Sequence, residues 1–480
     1  MTTNRRIQTG LIPGLLGLLL LGCKAGPDYH PPAIDHAAHF THELTDTQRI
    51  HDVEMKWWGR FNDPLLSQLV EKTIAGNFDV HMATAHLAKA RSLYTQSIMD
   101  LLPGVTARGI YNAQKRSLDA LNRRNFVPRD LELFNAGFDA TWELDLFGRL
   151  RRRMEVSQAD MEATRAERRD VMVSVIAETV RNYLVLRGVQ AERTLAQANL
   201  GQQQVMLDLT ETLLDAGKGT ALDTARTREL LNVTRAALPE LDTAEAQAIH
   251  RLSVLTGENP GGLYPLLSET QPLPARPNGL EPLKPQDMLR RRPDIRGAEE
   301  KLKAATAGIG VVTAELFPRL TFNGSFSVEA RTLMGLGGAG SESFLAGPRL
   351  TWAAFDLGRI RARIAAARAE TDAVLADYQQ TILLALEDTE NALVNFSQQR
   401  NRLVSLNEAS AASRQARQLS KLRFEAGVSD LMTVLDAERR VLEDERQQVR
   451  GQTATLLALL SIYKAMGGGW EPFEADRKGS

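Results

Sequence analysis

Residues 320–329 read Leu320-Thr321-Phe322-Asn323-Gly324-Ser325-Phe326-Ser327-Val328-Glu329, apolar or glycine at every even position and polar at every odd one. Successive side chains on a strand point to opposite faces, so this segment is a strand with one apolar and one polar face. Residues 344–352 carry the same pattern on Phe344, Ala346, Pro348, Leu350 and Trp352. Phe134, Ala136, Phe138, Ala140 and Trp142 repeat it upstream, and residues 104–114 do so less cleanly. Segments of this length and alternation fit transmembrane barrel strands; a soluble hairpin with one face on a core is the blander alternative. The tips between them, Lys115 to Arg129 (rich in Arg) and Gly335 to Ser343 (rich in Gly and Ser), read as surface loops. Four strands cannot close a barrel, and an open sheet edge is not tolerated in lipid. The barrel must therefore be shared between copies, two giving eight strands with a filled lumen and three giving twelve and the start of a channel. A monomer is excluded on this reading.

The strands belong to a duplicated chain. A shift of 210 carries Trp142 to Trp352, Gly148-Arg149 to Gly358-Arg359, Ala216-Gly217 to Ala426-Gly427 and Gly257 to Gly467. Upstream the shift is 215, taking Asp79 to Asp294, Leu87 to Leu302, Pro103 to Pro318 and Thr106 to Thr321. Only the loop between Thr106 and Trp142 has changed length. Each half reads as a helix of about 25 residues (76–101, then 287–316), two strands, a very long helix, a tight turn and a return helix. The long helices, 149–215 and 359–425, contain no proline. At 1.5 Å per residue each reaches roughly 100 Å, so each needs lateral partners along its length. The return helices are 219–256, with a kink expected at Pro239, and 429–466. Between the halves, prolines from Pro260 to Pro293 predict an extended crossing segment.

The amino terminus reads as an address. Arg5 and Arg6 precede an apolar run from Leu11 to Leu21, too short to span a bilayer and suited to a signal peptide. It ends in Leu20-Leu21-Gly22-Cys23, which resembles a bacterial lipoprotein cleavage box, and Cys23 is the single cysteine of the chain. The thiol there would carry a diacylglyceryl thioether and the freed amine a further chain, such as palmitate, enough for stable anchoring. Asp in the next position marks inner-membrane retention in that class; Lys24 stands there instead, which favours the outer membrane.

Composition narrows the function. Lys+Arg 58 against Asp+Glu 59 leaves a formal charge of −1, so no bulk basic field points to nucleic acid. Aromatic residues are only 6%, which suits long side-by-side helices better than thick cores. His30, His36, His39, His42 and His51 cluster without helical or strand periodicity and read as a solvated linker, not a metal site. The runs Glu438-Arg439-Arg440 and Glu443-Asp444-Glu445-Arg446 read as solvated or lumen-facing helix faces. With no Walker, HExxH or Ser/His/Asp pattern, neither an enzyme nor a cofactor beyond the lipid on Cys23 is expected.

In order along this layout come Gly26-Pro27-Asp28-Tyr29, Trp57-Trp58 with Asp63-Pro64-Leu65, Leu144-Asp145-Leu146-Phe147-Gly148-Arg149, Arg291-Arg292-Pro293-Asp294 and Phe424-Glu425-Ala426-Gly427. The whole resembles the TolC-type outer-membrane efflux factors, in the lipid-anchored branch that serves resistance-nodulation-division pumps. The resemblance implies a mainly α chain with a small β part, forming a homotrimer with a helical barrel and a shared twelve-stranded transmembrane β-barrel. It implies a periplasmic membrane-fusion adaptor and an inner-membrane pump as partners, outer-membrane lipid around the barrel, and passive exit of drugs, toxic compounds or metals. The chain then divides into a signal peptide (1–22), a lipidated linker and equatorial segment (23–75), a first repeat (76–257), a Pro-rich equatorial linker (258–286), a second repeat (287–467) and a tail (468–480). By resemblance Asp436 lines the periplasmic constriction as a ring of carboxylates, Asp430 and Met432 narrow the pore, and Asp223 ties neighbouring coils. Lys218, Arg226 and Arg423 are the nearby compensating charges. Phe424, Ser429 and Thr433 depart from the hydrogen-bonding residues of related chains, so the closing network should differ and be weaker. The bland account of the aspartates is helix-start charge, and the bland account of the chain is a lipid-anchored scaffold or adaptor without a membrane barrel.

Overall fold

A computed structural model describes residues 24–33, 39–42, 55–117, 129–277 and 284–475. Helices α1 (Pro64–Gly76) and α2 (Phe78–Met99) lead to strands β1 (Gly104–Lys115) and β2 (Asp130–Leu144), then to α3 (Arg149–Asp215) and its return α4 (Ala221–Leu255). The second pass runs α5 (Pro293–Thr313), β3 (Arg319–Ala330), β4 (Glu342–Thr351), α6 (Leu357–Glu425) and α7 (Leu431–Ala465). The long helices hold 67 and 69 residues, with ends within two residues of the proline-free runs.

The duplication is visible in a pair of hydrogen bonds. Trp142 Nε1 donates to the carbonyl of Leu101, and Trp352 Nε1 to that of Leu316, both at 3.0 Å. The tryptophans are related by 210 and the carbonyls by 215, the two shifts read along the sequence. The helix expected over 76–101 is one piece that begins at Phe78, whereas the helix expected over 287–316 is broken. Asn77 adopts extended backbone, and its Oδ1 accepts from the amides of Asp79 and Val80, so α2 starts at Phe78. Arg292 is extended ahead of Pro293, which ends a short helix, Pro285–Arg291, and opens α5. At Pro239, by contrast, α4 continues without a break.

The chain divides into two compact units. One, made of Met1–Ala33, Leu87–Thr164 and Gly297–Tyr378, contains the sheet. Its order is β1-β2-β3-β4, antiparallel throughout, so β1 and β4 each have a strand on one side only. The register aligns Ala107, Phe138, Phe326 and Phe344 in one row, and Val105, Ala140, Gly324 and Ala346 in the next. These rows form one apolar face, and much of it is exposed: Phe138 58%, Phe326 54% and Phe344 83%. The opposite face carries Arg108, Asn135, Asp139, Asn323, Ser325, Glu329 and Arg349, interrupted by Ile110 and Leu345.

In the same unit, residues 24–29 form a strap against the start of α3. The Ala25 amide donates to the Phe147 carbonyl, and Arg152, 3% exposed, donates to the carbonyls of Ala25 and Gly26 and to Asp28. Lys24 pairs with Glu155, and Tyr29 donates to Glu299. Gly26 has φ +82° and a Cβ there would meet Gly310 Cα at 2.5 Å, so the Gly-Pro-Asp-Tyr run needs glycine first. Cys23 lies outside the described residues.

The second unit, Ile34–His86, Arg165–Arg296 and Gln379–Ser480, is helical. Met172, Ile176, Val180, Tyr183 and Leu184 bury one stripe of α3. Trp57 and Trp58 are fully buried, Trp57 stacking on Tyr463 and Trp58 on Phe473. Among the described residues no helix is long and apolar enough to cross a membrane, which says nothing of a β-barrel.

Candidate functional site

The turns that join α3 to α4 and α6 to α7 place the residues singled out as a gate. Gly217 and Gly427 take φ +67° and +72°, the left-handed conformation that ends a helix at low cost only with glycine. The Lys218 amide returns to the Leu213 carbonyl at 2.8 Å, and that of Val428 to Arg423 at 2.9 Å, closing the last helical turn in both halves.

Beyond each turn a Thr/Asp pair caps the return helix. Thr220 is the N-cap of α4: its Oγ1 accepts from the Asp223 amide, while Asp223 Oδ2 accepts from the Thr220 hydroxyl at 2.6 Å and its amide at 3.3 Å. In the second half Asp430 is itself the N-cap of α7, accepting from the Thr433 amide at 3.0 Å and hydroxyl at 2.7 Å. These bonds, the Thr433 hydroxyl first, hold the Asp430 carboxyl below its ordinary range, with help from the Arg226 charge. Asp430 and Asp223 are therefore helix-start carboxylates within the chain, and Thr220 and Thr433 are the partners that the sequence reading missed. A polar residue three positions from each aspartate was the available signal.

Asp436 has a different setting. On α7, Leu431, Val434 and Leu435 are buried and cluster with Leu230 of α4, while Met206, Phe424 and Leu442 pack against them. Met432, half-buried, and Asp436, exposed, are four apart on the stripe turned away from that cluster. Phe424 is apolar filling against this cluster. The hairpins are tied by ion pairs instead: Arg439 to Glu229 at 3.0 Å and Arg450 to Glu192 at 2.9 Å.

Within the Glu/Arg runs of α7, where Arg439, Arg440, Glu443 and Arg446 are exposed as expected, Glu438 and Glu445 are a correction. Glu445 is buried and accepts from Arg414 Nε of α6 at 2.7 Å, and Glu438 lies 3.6 Å from Arg417 Nη1. They face the helix beside them because α7 turns every fourth or third residue toward α6; Glu443 and Arg446 remain on the exposed side. His36 and His51 lie outside the described residues, and among the described residues no group of His, Cys, Asp and Glu is arranged to hold a metal.

The sequence model for "Outer membrane efflux protein" matches residues 69–258 and 284–468, most of the chain and once per repeat. The chain belongs to the outer membrane efflux protein family. Among curated relatives, outer membrane protein OprJ of Pseudomonas aeruginosa is 28% identical over 475 residues, covering 97% of both chains. Nodulation protein T of Rhizobium leguminosarum bv. trifolii is 29% identical over 461 residues, covering 95% of this chain and 96% of its own. The solved structure of the outer-membrane channel OprN superposes with a TM-score of 0.86 at 40% identity, over 94% of this chain and 100% of that one. This efflux protein is thus an outer-membrane channel component and not an enzyme, with a mainly helical barrel and four strands for the membrane barrel. The scaffold reading without a barrel is set aside.

Proposed function

We propose that three copies close the sheet into one twelve-stranded barrel in the outer membrane, making a passive conduit for small molecules, whether drugs, toxic compounds or metals. The observation that carries this is the four-stranded sheet with one exposed apolar face and two open edges. The apolar face fits lipid, and the edges must be paired by neighbouring copies, since unpaired backbone is not tolerated there. A lipid on Cys23 anchors each copy. The strap from Lys24 to Tyr29 supports this, because it holds the residue after Cys23 beside Gly148, in the short link between β2 and α3.

The conduit receives its cargo from a periplasmic membrane-fusion adaptor and an inner-membrane pump of the resistance-nodulation-division type. Asp436, with Met432, lines the periplasmic constriction. Its exposure on the side of α7 away from the hairpin core supports that role. Asp430 and Asp223 hold the return helices at the tips and add negative charge there. Three carboxylates around a narrow axis repel one another and attract cations.

The test is the particle mass of protein extracted by detergent from purified outer membranes, followed by conductance in planar bilayers. A mass of about three chains is expected, with Asp436→Ala raising the open fraction or conductance. A monomer, or protein confined to the inner membrane, would overturn the shared barrel. A conducting trimer that Asp436→Ala leaves unchanged would overturn the gate assignment alone.

A further inference from the structure

Charge is distributed unevenly along the polar face of the sheet. At mid-strand Arg108 and Asp139 pair with each other at 3.3 Å. Toward the end that joins the helices, Glu143 is held by Arg149 at 2.7 Å and lies 3.7 Å from Arg319, while Arg349 has no carboxylate partner among the described residues. Toward the hairpin end, Glu329 is the one charge that the paired strands place on this face among the described residues.

Glu329 is also held in place. It stands directly across from Asn135 in the register. Asn135 Nδ2 donates to Glu329 Oε1 at 2.6 Å and lies 3.4 Å from Ser327 Oγ. Asn135 is 9% exposed and Ser327 6%, and Asn135 Oδ1 is buried with no partner. The Glu329 amide donates to the Ser341 carbonyl, which fixes the backbone as well. The carboxylate is thus presented from a rigid, buried polar support.

We propose that Glu329 and Arg349 make the barrel lumen bipolar: one ring of carboxylates near the outer mouth and one ring of guanidinium groups near the inner end. The proposal rests on the shared-barrel reading, in which the apolar face meets lipid and the polar face lines the lumen. Eight positions of β3 separate Glu329 from Thr321, the partner of Arg349, roughly 26 Å of strand. That exceeds the screening length of about 8 Å at physiological ionic strength, so the rings act independently. A pore with opposite fixed charges at its ends passes current unequally in the two directions. It also concentrates cations at one mouth and anions at the other. Glu329 and Arg349 therefore bias which charged cargo leaves and which external ions enter.

The experiment is single-channel current–voltage measurement in symmetric KCl at about 0.1 M and about 1 M, in both the wild-type and the Asp436→Ala background. At the lower salt the wild-type current should be asymmetric, and Glu329→Gln with Arg349→Gln should reduce the asymmetry by about twofold or more. Exchanging the charges (Glu329→Arg with Arg349→Glu) should shift it in the opposite sense, and 1 M salt should erase these differences. Glu342→Gln is the control: Glu342 pairs with Val328 on the opposite face at the same height and should change nothing. Unchanged asymmetry in the double variant, or an equal effect of Glu342→Gln, would overturn the bipolar lumen while leaving the channel intact. Absence of conductance in both backgrounds would overturn the channel reading and this proposal with it.

Discussion

Ser325 and Phe326 are adjacent on β3 and test which face of the sheet meets lipid. Phe326 stands between Phe138 and Phe344 in the register and is 54% exposed in the single chain. For a side chain of about 200 Å² that leaves about 100 Å² of apolar surface, or about 2.5 kcal/mol of transfer energy that lipid supplies and water does not. Phe326→Arg loses that contribution and places a charge near the bilayer midplane, at a further cost of about 2–4 kcal/mol. Across three copies the loss is roughly 15 kcal/mol, the whole stability of a typical domain. Ser325→Arg adds the same charge one residue away, on the polar face beside Asp139. Surface ion pairs of that kind change stability by about 1 kcal/mol or less. The assay is the fraction of outer-membrane protein migrating as a heat-labile oligomer in SDS. Ser325→Arg should retain the oligomer and Phe326→Arg should abolish it. Equal effects, or the reverse order, would refute the assignment of faces and with it the lipid-facing barrel.

Two further outcomes follow from buried charge. Burial holds the Glu438 carboxyl above its ordinary value of 4.5, with Arg417 opposing that only in part. A raised carboxyl contributes stability below its unfolded pKa and loses it as pH rises through the folded one. Glu438→Gln should therefore raise the thermal unfolding temperature of the helical unit at pH 7 and leave it unchanged below pH 4.5; a lower unfolding temperature at pH 7 would contradict this. Arg152→Met should free the strap at a cost of about 2–3 kcal/mol, from lost charge-assisted bonds to two carbonyls and Asp28. Faster limited proteolysis at Lys24 with the oligomer retained is the expected result, and cleavage at the wild-type rate would count against the clamp.

The sequence was most informative where a period repeats many times. Alternation over residues 320–329 assigned each side chain of β3 to a face, and the structure keeps that assignment across all four strands. β1 was less legible because its apolar set is small, Val105, Ala107 and Gly109 with Tyr111, and Ile110 stands on the polar face. The helix ends were set by proline-free runs and by Gly217 and Gly427, both in the left-handed region. What could not be read was which charge meets which. Glu438 and Glu443 look alike in sequence, yet one packs beside Arg417 and the other pairs with Arg446 on the exposed side. That choice depends on the angle at which α7 lies on α6, which no local pattern encodes. The strap is similar: Gly26 needs Gly310 opposite it, a contact across 284 positions that spacing alone does not reveal.

The duplication supplies a test that separates the capping role of Asp430 from the gating role proposed for it. A shift of 210 aligns Thr220 with Asp430 and Asp223 with Thr433, so the same two residue types occupy the same two positions in reversed order. Both orders cap their helix: Thr220 receives the Asp223 amide, and Asp430 receives the Thr433 amide. What differs is where the charge sits, since N-cap and third helical residue are about 4.5 Å apart along the axis. Exchanging the pair in the second half, Asp430→Thr with Thr433→Asp, reproduces the first-half arrangement, which this chain already shows to be a working cap. Helix stability and oligomer yield should therefore be retained, while the carboxylates move about one turn along α7 toward Asp436. If Asp430 acts on the pore through its charge, ion selectivity and resting conductance must change although the cap is intact. If both are identical to wild type, Asp430 is a helix cap and nothing more, and the constriction rests on Asp436 and Met432. The exchange is more decisive than Asp430→Ala, which removes the cap and the charge together and would disturb the tip under either account.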